Sequence, residues 1–111
     1  MHIDITPENL LTQLGYPLND ALLAQMKHTM ETTPGFDAFS RHLLSLKDEI
    51  ARFEGYLALS NSRDVLKIKS DASRPEEIDA YKAILKKWAD KYKVSLEQVG
   101  ETNTFYILGL A

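Results

Sequence analysis

Cysteine is missing from all 111 residues. A disulfide framework, a thiolate metal site and a cysteine nucleophile are therefore excluded. Glycine is scarce, with five residues placed singly along the chain, so no glycine-rich loop is available to cradle a phosphate. No apolar run approaches the roughly 18 residues that a membrane span requires. Met1 to Thr6 carry neither a basic segment nor an apolar one. No secretory signal is read there, and a cytoplasmic protein is the expectation.

Groups for catalysis are equally thin. The three histidines, His2, His28 and His42, fall in different predicted elements, not at metal-ligand spacing. No metal and no cofactor is expected. Ser40 and His42 stand two apart and point to different sides of a helix, and no Gly-x-Ser-x-Gly elbow occurs. The carboxylates of Asp48-Glu49 and Glu76-Glu77 are adjacent in sequence and read as solvated helix surface, not as two groups facing across a cleft. The pattern points away from an enzyme.

What is present is an ordinary globular composition, 44% hydrophobic and 26% charged, which argues against disorder and fibrous repeats. The length suits one domain, residues 1–111, with a helical part at 1–60 and an α+β part at 63–111. Net charge is −3, whereas a dedicated nucleic-acid binder is more often basic. The charge is uneven: nine of the 13 Lys/Arg lie between Arg63 and Lys93.

The strongest periodicity is at Phe36, Phe39, Leu43, Leu46, Ile50, Phe53 and Leu57, spaced by threes and fours. It predicts a long helix from Phe36 to about Ala58, roughly 35 Å in length. Before it, Thr6-Pro7-Glu8 reads as the cap and first turn of a short helix that ends at Gly15. Asn19 caps a second helix, Asp20 to Thr32, stopped by Thr33-Pro34-Gly35. This second helix, about 20 Å long, is expected to pair back on the long one and to cover only its first half. Ile50, Phe53 and Leu57 would then need a partner, because leaving such side chains in water forgoes about 1.5–3 kcal/mol each. The C-terminal half of the chain or a second copy of it is expected to cover them, and Gly55 could kink or end the helix early and shrink the mismatch. A homodimer through this face, or contact with another protein, is the first functional expectation.

After Ser60-Asn61-Ser62, a β-α-β-β order is expected. A strand at Val65–Lys69 turns Leu66 and Ile68 inward, a helix runs from a Ser73-Arg74-Pro75-Glu76 capping box to about Tyr92, and strands follow at 94–99 and 104–110 around Gly100. His2 to Ile5 alternates like a short edge strand. The fold class is thus α+β, with a three-helix N-terminal part containing a helical hairpin and a small antiparallel sheet.

Lys82, Lys86 and Lys93 share one side of the last helix. With Lys67, Lys69 and Arg74 they could form a basic stripe that tracks single-stranded nucleic acid. Asp79 and Asp90 stand three or four residues from these lysines, so a solvated, ion-paired helix face is the plain alternative. The stretch Lys82 to Leu108, with Trp88-Ala89, Val94, Gln98-Val99-Gly100 and Phe105 to Leu108, resembles the latter part of the small single-stranded nucleic-acid-binding domain known by its Arg-x-x-x-His signature. Lys82 and Lys86 stand at the signature positions. The resemblance covers about a quarter of the chain and implies the same class of ligand.

Overall fold

The computed structural model of the chain describes residues 6–60 and 63–110; the strand read at His2 to Ile5 lies outside them. Helix α1, Pro7–Gln13, starts as its sequence dictates: the Thr6 hydroxyl accepts the Asn9 N–H and proline takes the first turn. Helix α2, Asp20–Thr32, is capped by Asn19, whose side chain accepts the Leu22 N–H at 2.8 Å. Its close helical neighbour is α1. Helix α3, Phe36–Ala51, follows a left-handed Gly35 and packs on the sheet and on the last helix, not alongside α2.

The long apolar period does not continue as helix to Ala58. After Ala51 the chain turns through Arg52 to Glu54, where Glu54 has φ of +56°, and enters strand β1, Gly55–Leu59. Gly55 makes the turn possible, since a Cβ there would lie 2.7 Å from the Cβ of Ile50. As a strand, Tyr56-Leu57-Ala58-Leu59 alternates as well as it did on a helix, and its backbone now pairs with a neighbour. Strand β2, Leu66–Ser70, lies antiparallel to it in the register Leu59 with Leu66 and Leu57 with Ile68.

Helix α4, Pro75–Tyr92, then crosses to strands β3, Val94–Gln98, and β4, Phe105–Leu110. The sheet has four strands in the order β1-β2-β4-β3, all antiparallel. The expected β-α-β-β order is therefore present as β2-α4-β3-β4, with β1 added at the outer edge. The expected Ser73 cap is not used: Pro75 occupies the first turn, Arg74 takes the N-cap position without a side-chain bond, and its guanidinium pairs with Glu76 at 2.8 Å.

One face of the sheet is dry. Leu57, Leu59, Leu66, Ile68 and Ile107 pack with Phe39, Leu43, Leu46 and Ile50 of α3 and Tyr81, Leu85 and Trp88 of α4 in one core. Residues from both sides of Ser60 share it. Trp88 donates its indole N–H to the His42 carbonyl at 3.1 Å, and the His42 ring stacks on Tyr92 at 3.9 Å, which joins α3 to α4.

Helix α2 takes a different path, across the end of the sheet. Gln25 donates to the Ser60 carbonyl at the end of β1. His28 meets Asp64, and Thr32 donates to the Asp64 carbonyl, just before β2. Pro34 accepts the Leu110 N–H at the end of β4. That last contact needs Gly109, whose φ is +120° and where a Cβ would lie 2.6 Å from the Pro34 oxygen.

Gly109→Ala is expected to destabilise the fold by about 2–5 kcal/mol, combining backbone strain with a forced contact. Gly100→Ala, also at positive φ but with open space around it, should lose only about 1 kcal/mol. Urea titration of the two variants measures both.

Burial pushes the Tyr81 phenol well above the ordinary tyrosine value, with the Tyr56 phenol adding to the shift. Its hydroxyl donates to the Asn103 carbonyl at 2.7 Å. A folded-state value above the unfolded one means the contribution to stability is complete below the unfolded value, about pH 10, and fades as pH rises beyond it. Stability should therefore fall as pH rises above about 10. Tyr81→Phe should flatten that decline, at a neutral-pH loss of about 1 kcal/mol for the missing hydrogen bond.

Candidate nucleic-acid interface

The pleat that turns Leu66 and Ile68 into the core turns Lys67 and Lys69 out onto the opposite face. Cross-strand register decides their neighbours. Lys69 stands opposite Tyr56, and Lys67 stands between Ala58 on β1 and Tyr106 on β4. Tyr106 in turn faces Glu97 on β3. A row therefore crosses all four strands as Ala58, Lys67, Tyr106, Glu97, with the pair Tyr56 and Lys69 beside it. Lys67, Lys69, Tyr56 and Tyr106 are each half-buried, as side chains standing on a sheet are.

Arg63 reaches this face from the connection between β1 and β2. Its guanidinium lies 5.1 Å from the centre of the Tyr106 ring and donates to Glu97 at 2.8 Å. Lys67 and Lys69 form no ion pair among the described residues. Beside them is a hollow of about 260 Å³, floored by Tyr56, Ala58, Lys67 and Lys69 and walled by Tyr16, Leu22 and Gln25. The Tyr16 hydroxyl accepts the Leu59 N–H at 3.1 Å, which satisfies an outward donor of edge strand β1.

The six basic residues read as one stripe do not assemble into one. Helix α4 packs on the dry face, so Lys82, Lys86 and Lys93 lie on the opposite side of the molecule from Lys67 and Lys69. Lys93 ends the helix with φ of +58°, and Arg74 is occupied by Glu76 and Glu77. Among the described residues Asp79 and Asp90 form no ion pair with the α4 lysines, while Lys86 and Lys93 are exposed, so of the plain alternative the solvated face is present and the ion pairing is not.

Ile50 and Leu57, assigned to a partner, are 0% and 3% exposed; Phe53 is half-buried with the Arg52 guanidinium 5.9 Å from its ring centre. The apolar surface that α2 cannot cover is covered by α3's own continuation into β1 and by β2. Leu18 and Leu110 are the large apolar side chains left exposed among the described residues.

A cavity of about 640 Å³ lies where α1, α2 and α3 meet. Glu8, Glu31 and Asp37 line it with a single lysine, Lys27, which makes it hostile to an anionic strand. His28 touches Asp64 at 3.0 Å, but both side chains are more than half exposed and lie in solvent. Among the described residues no three His, Asp or Glu side chains group as a metal site, and no helix is long and apolar enough to cross a membrane.

No protein family, curated protein or solved structure matches the chain. The resemblance drawn on Lys82 to Leu108 thus has no matching family behind it.

Sequence reasoning found Lys67 and Lys69 through strand alternation but missed Tyr56 and Arg63. The alternation of β1 could have exposed Tyr56, had the helical period not absorbed it. Nothing local marks Tyr16 or Gln25.

Leu57→Ala is expected to lower stability by about 2–5 kcal/mol as a core truncation and to leave the oligomeric state unchanged. Denaturation and light scattering on the same sample separate this from loss of a partner contact.

Proposed function

We propose that the chain is a non-enzymatic binding module that takes single-stranded nucleic acid on the open face of its sheet. The observation that carries this reading is the register: two lysines without an ionic partner among the described residues, each directly opposite a tyrosine, on the face that the long helices leave bare. Ammonium groups meet phosphates and tyrosine rings stack on bases, each stack contributing about 1–3 kcal/mol. Tyr56 and Tyr106 are two strands and two residues apart, roughly 12 Å between Cα atoms by strand spacing and rise. Bases stacked at about 3.4 Å cannot bridge that distance as neighbours, so a splayed single strand fits better than a continuous stack.

The net charge of −3 gives no long-range attraction, so binding is weak and local. Two phosphate contacts predict a log–log salt slope of about −1.4 for a single strand. A protein-interaction role through Ile50, Phe53 and Leu57 has no comparable surface to support it.

Fluorescence anisotropy with labelled 12-nucleotide RNA and DNA at low salt tests the proposal. Lys67→Ala and Lys69→Ala should each weaken binding several-fold and flatten the salt slope. Changing Lys82, Lys86 and Lys93 together to Ala should leave it within about twofold, since α4 lies on the other side. Silence of the wild-type protein toward both strands, or loss of binding only in the α4 variant, overturns the reading.

A further inference from the structure

We infer that the hollow beside Lys67 and Lys69 is a base pocket, which seats one nucleobase of the bound strand while the lysines hold its phosphate. This rests on the nucleic-acid reading above and adds the unit that is recognised. The size selects the ligand: at about 260 Å³ it falls just below the usual range for pockets that enclose drug-sized ligands, ~300–1,000 Å³. One planar ring system fits, and a dinucleotide does not. The floor is apolar and aromatic, from Ala58 and Tyr56, with cationic groups beside it from Lys67 and Lys69. That is the distribution of a nucleotide, with a flat uncharged ring at one end and a charged group at the other.

The wall supplies polar groups of both kinds. The Tyr16 hydroxyl accepts the Leu59 N–H, and no described residue takes its own proton, so it is a donor for the hollow. Gln25 directs its Nε2 to the Ser60 carbonyl at 3.1 Å; no described group donates to its Oε1, which leaves an acceptor. A donor and an acceptor are what the polar edge of a nucleobase requires. Both are held by the backbone at the end of β1, so the pocket is organised before any ligand arrives. A lone phosphate would use the lysines and nothing of this wall.

The test compares a 12-nucleotide oligouridylate with a strand of the same length made of abasic ribose phosphate, and adds UMP, AMP and ribose 5-phosphate as small probes followed by amide shifts in NMR. The oligouridylate should bind at least about fivefold more tightly than the abasic strand. UMP or AMP should shift the amides of Ala58, Leu59 and Lys67, and ribose 5-phosphate should not shift Leu59. Leu22→Trp, which fills the hollow, and the milder Tyr16→Phe should weaken oligouridylate binding with the salt slope kept; a melting curve confirms that each is folded. If the oligouridylate binds and Tyr16→Phe and a folded Leu22→Trp both bind like wild type, the pocket is inert and only the open-face reading stands; if the abasic strand binds as tightly as the oligouridylate, the pocket falls together with the base stacking of that reading. If neither strand binds the wild-type protein, both readings fall together.

Discussion

A four-stranded antiparallel sheet needs cover on one side, and this chain has long helix for one side only. Helices α3 and α4, of 16 and 18 residues, dry the face that carries Leu57, Leu59, Leu66, Ile68 and Ile107. Helix α2 is occupied across the sheet's end, tied to Ser60 and Asp64, and Pro34 just after it holds Leu110. Strand β2 accordingly alternates apolar against charged, as strands of one-sided antiparallel sheets do. The proposed function rests on what that alternation places on the uncovered face.

The helix starts were legible because caps act locally: Thr6-Pro7 and Asn19 each satisfy the backbone donors of the next turn. Strand β2 was legible through Leu66 and Ile68. Strand β1 was not. Ile50, Phe53 and Leu57 fit a helical stripe, and Leu57 reaches the core equally well from a strand after a tight turn. Both conformations satisfy the hydrophobic pattern, so the pattern could not choose. The deciding facts are tertiary: the close approach of Gly55 to Ile50 and the availability of β2 as a partner. The same blindness produced the expected partner for Ile50 and Leu57, since an overlong helix carries an apolar end that the folded chain does not have.

Site residues divide along the same line. Lys67 and Lys69 were visible because outward positions of a strand follow from its inward ones. Grouping them with Lys82, Lys86 and Lys93 failed because helical and strand periods fix which side of an element is polar, not which sides of two elements face the same way. Arg63, Tyr16 and Gln25 come to the sheet from a turn and from the N-terminal helices. Their placement depends on α2 crossing the sheet's end, for which the local pattern holds no sign.

Charge alone cannot make this face selective. Of its cations, Arg63 is already committed to Glu97 and lies over Tyr106, and Glu97 opposes any phosphate that approaches β3. The two remaining lysines could hold any small anion. In the proposed reading, discrimination comes from groups that recognise something other than charge, namely the tyrosine rings and the Tyr16–Gln25 wall. A weakly charged sheet gains specificity when much of its contact is stacking and shape, because a competing anion such as free phosphate offers neither. The Arg63–Glu97 pair works in the same direction: it removes one cation from non-specific use, so that in the proposed reading the rings and the wall carry more of the contact than charge does.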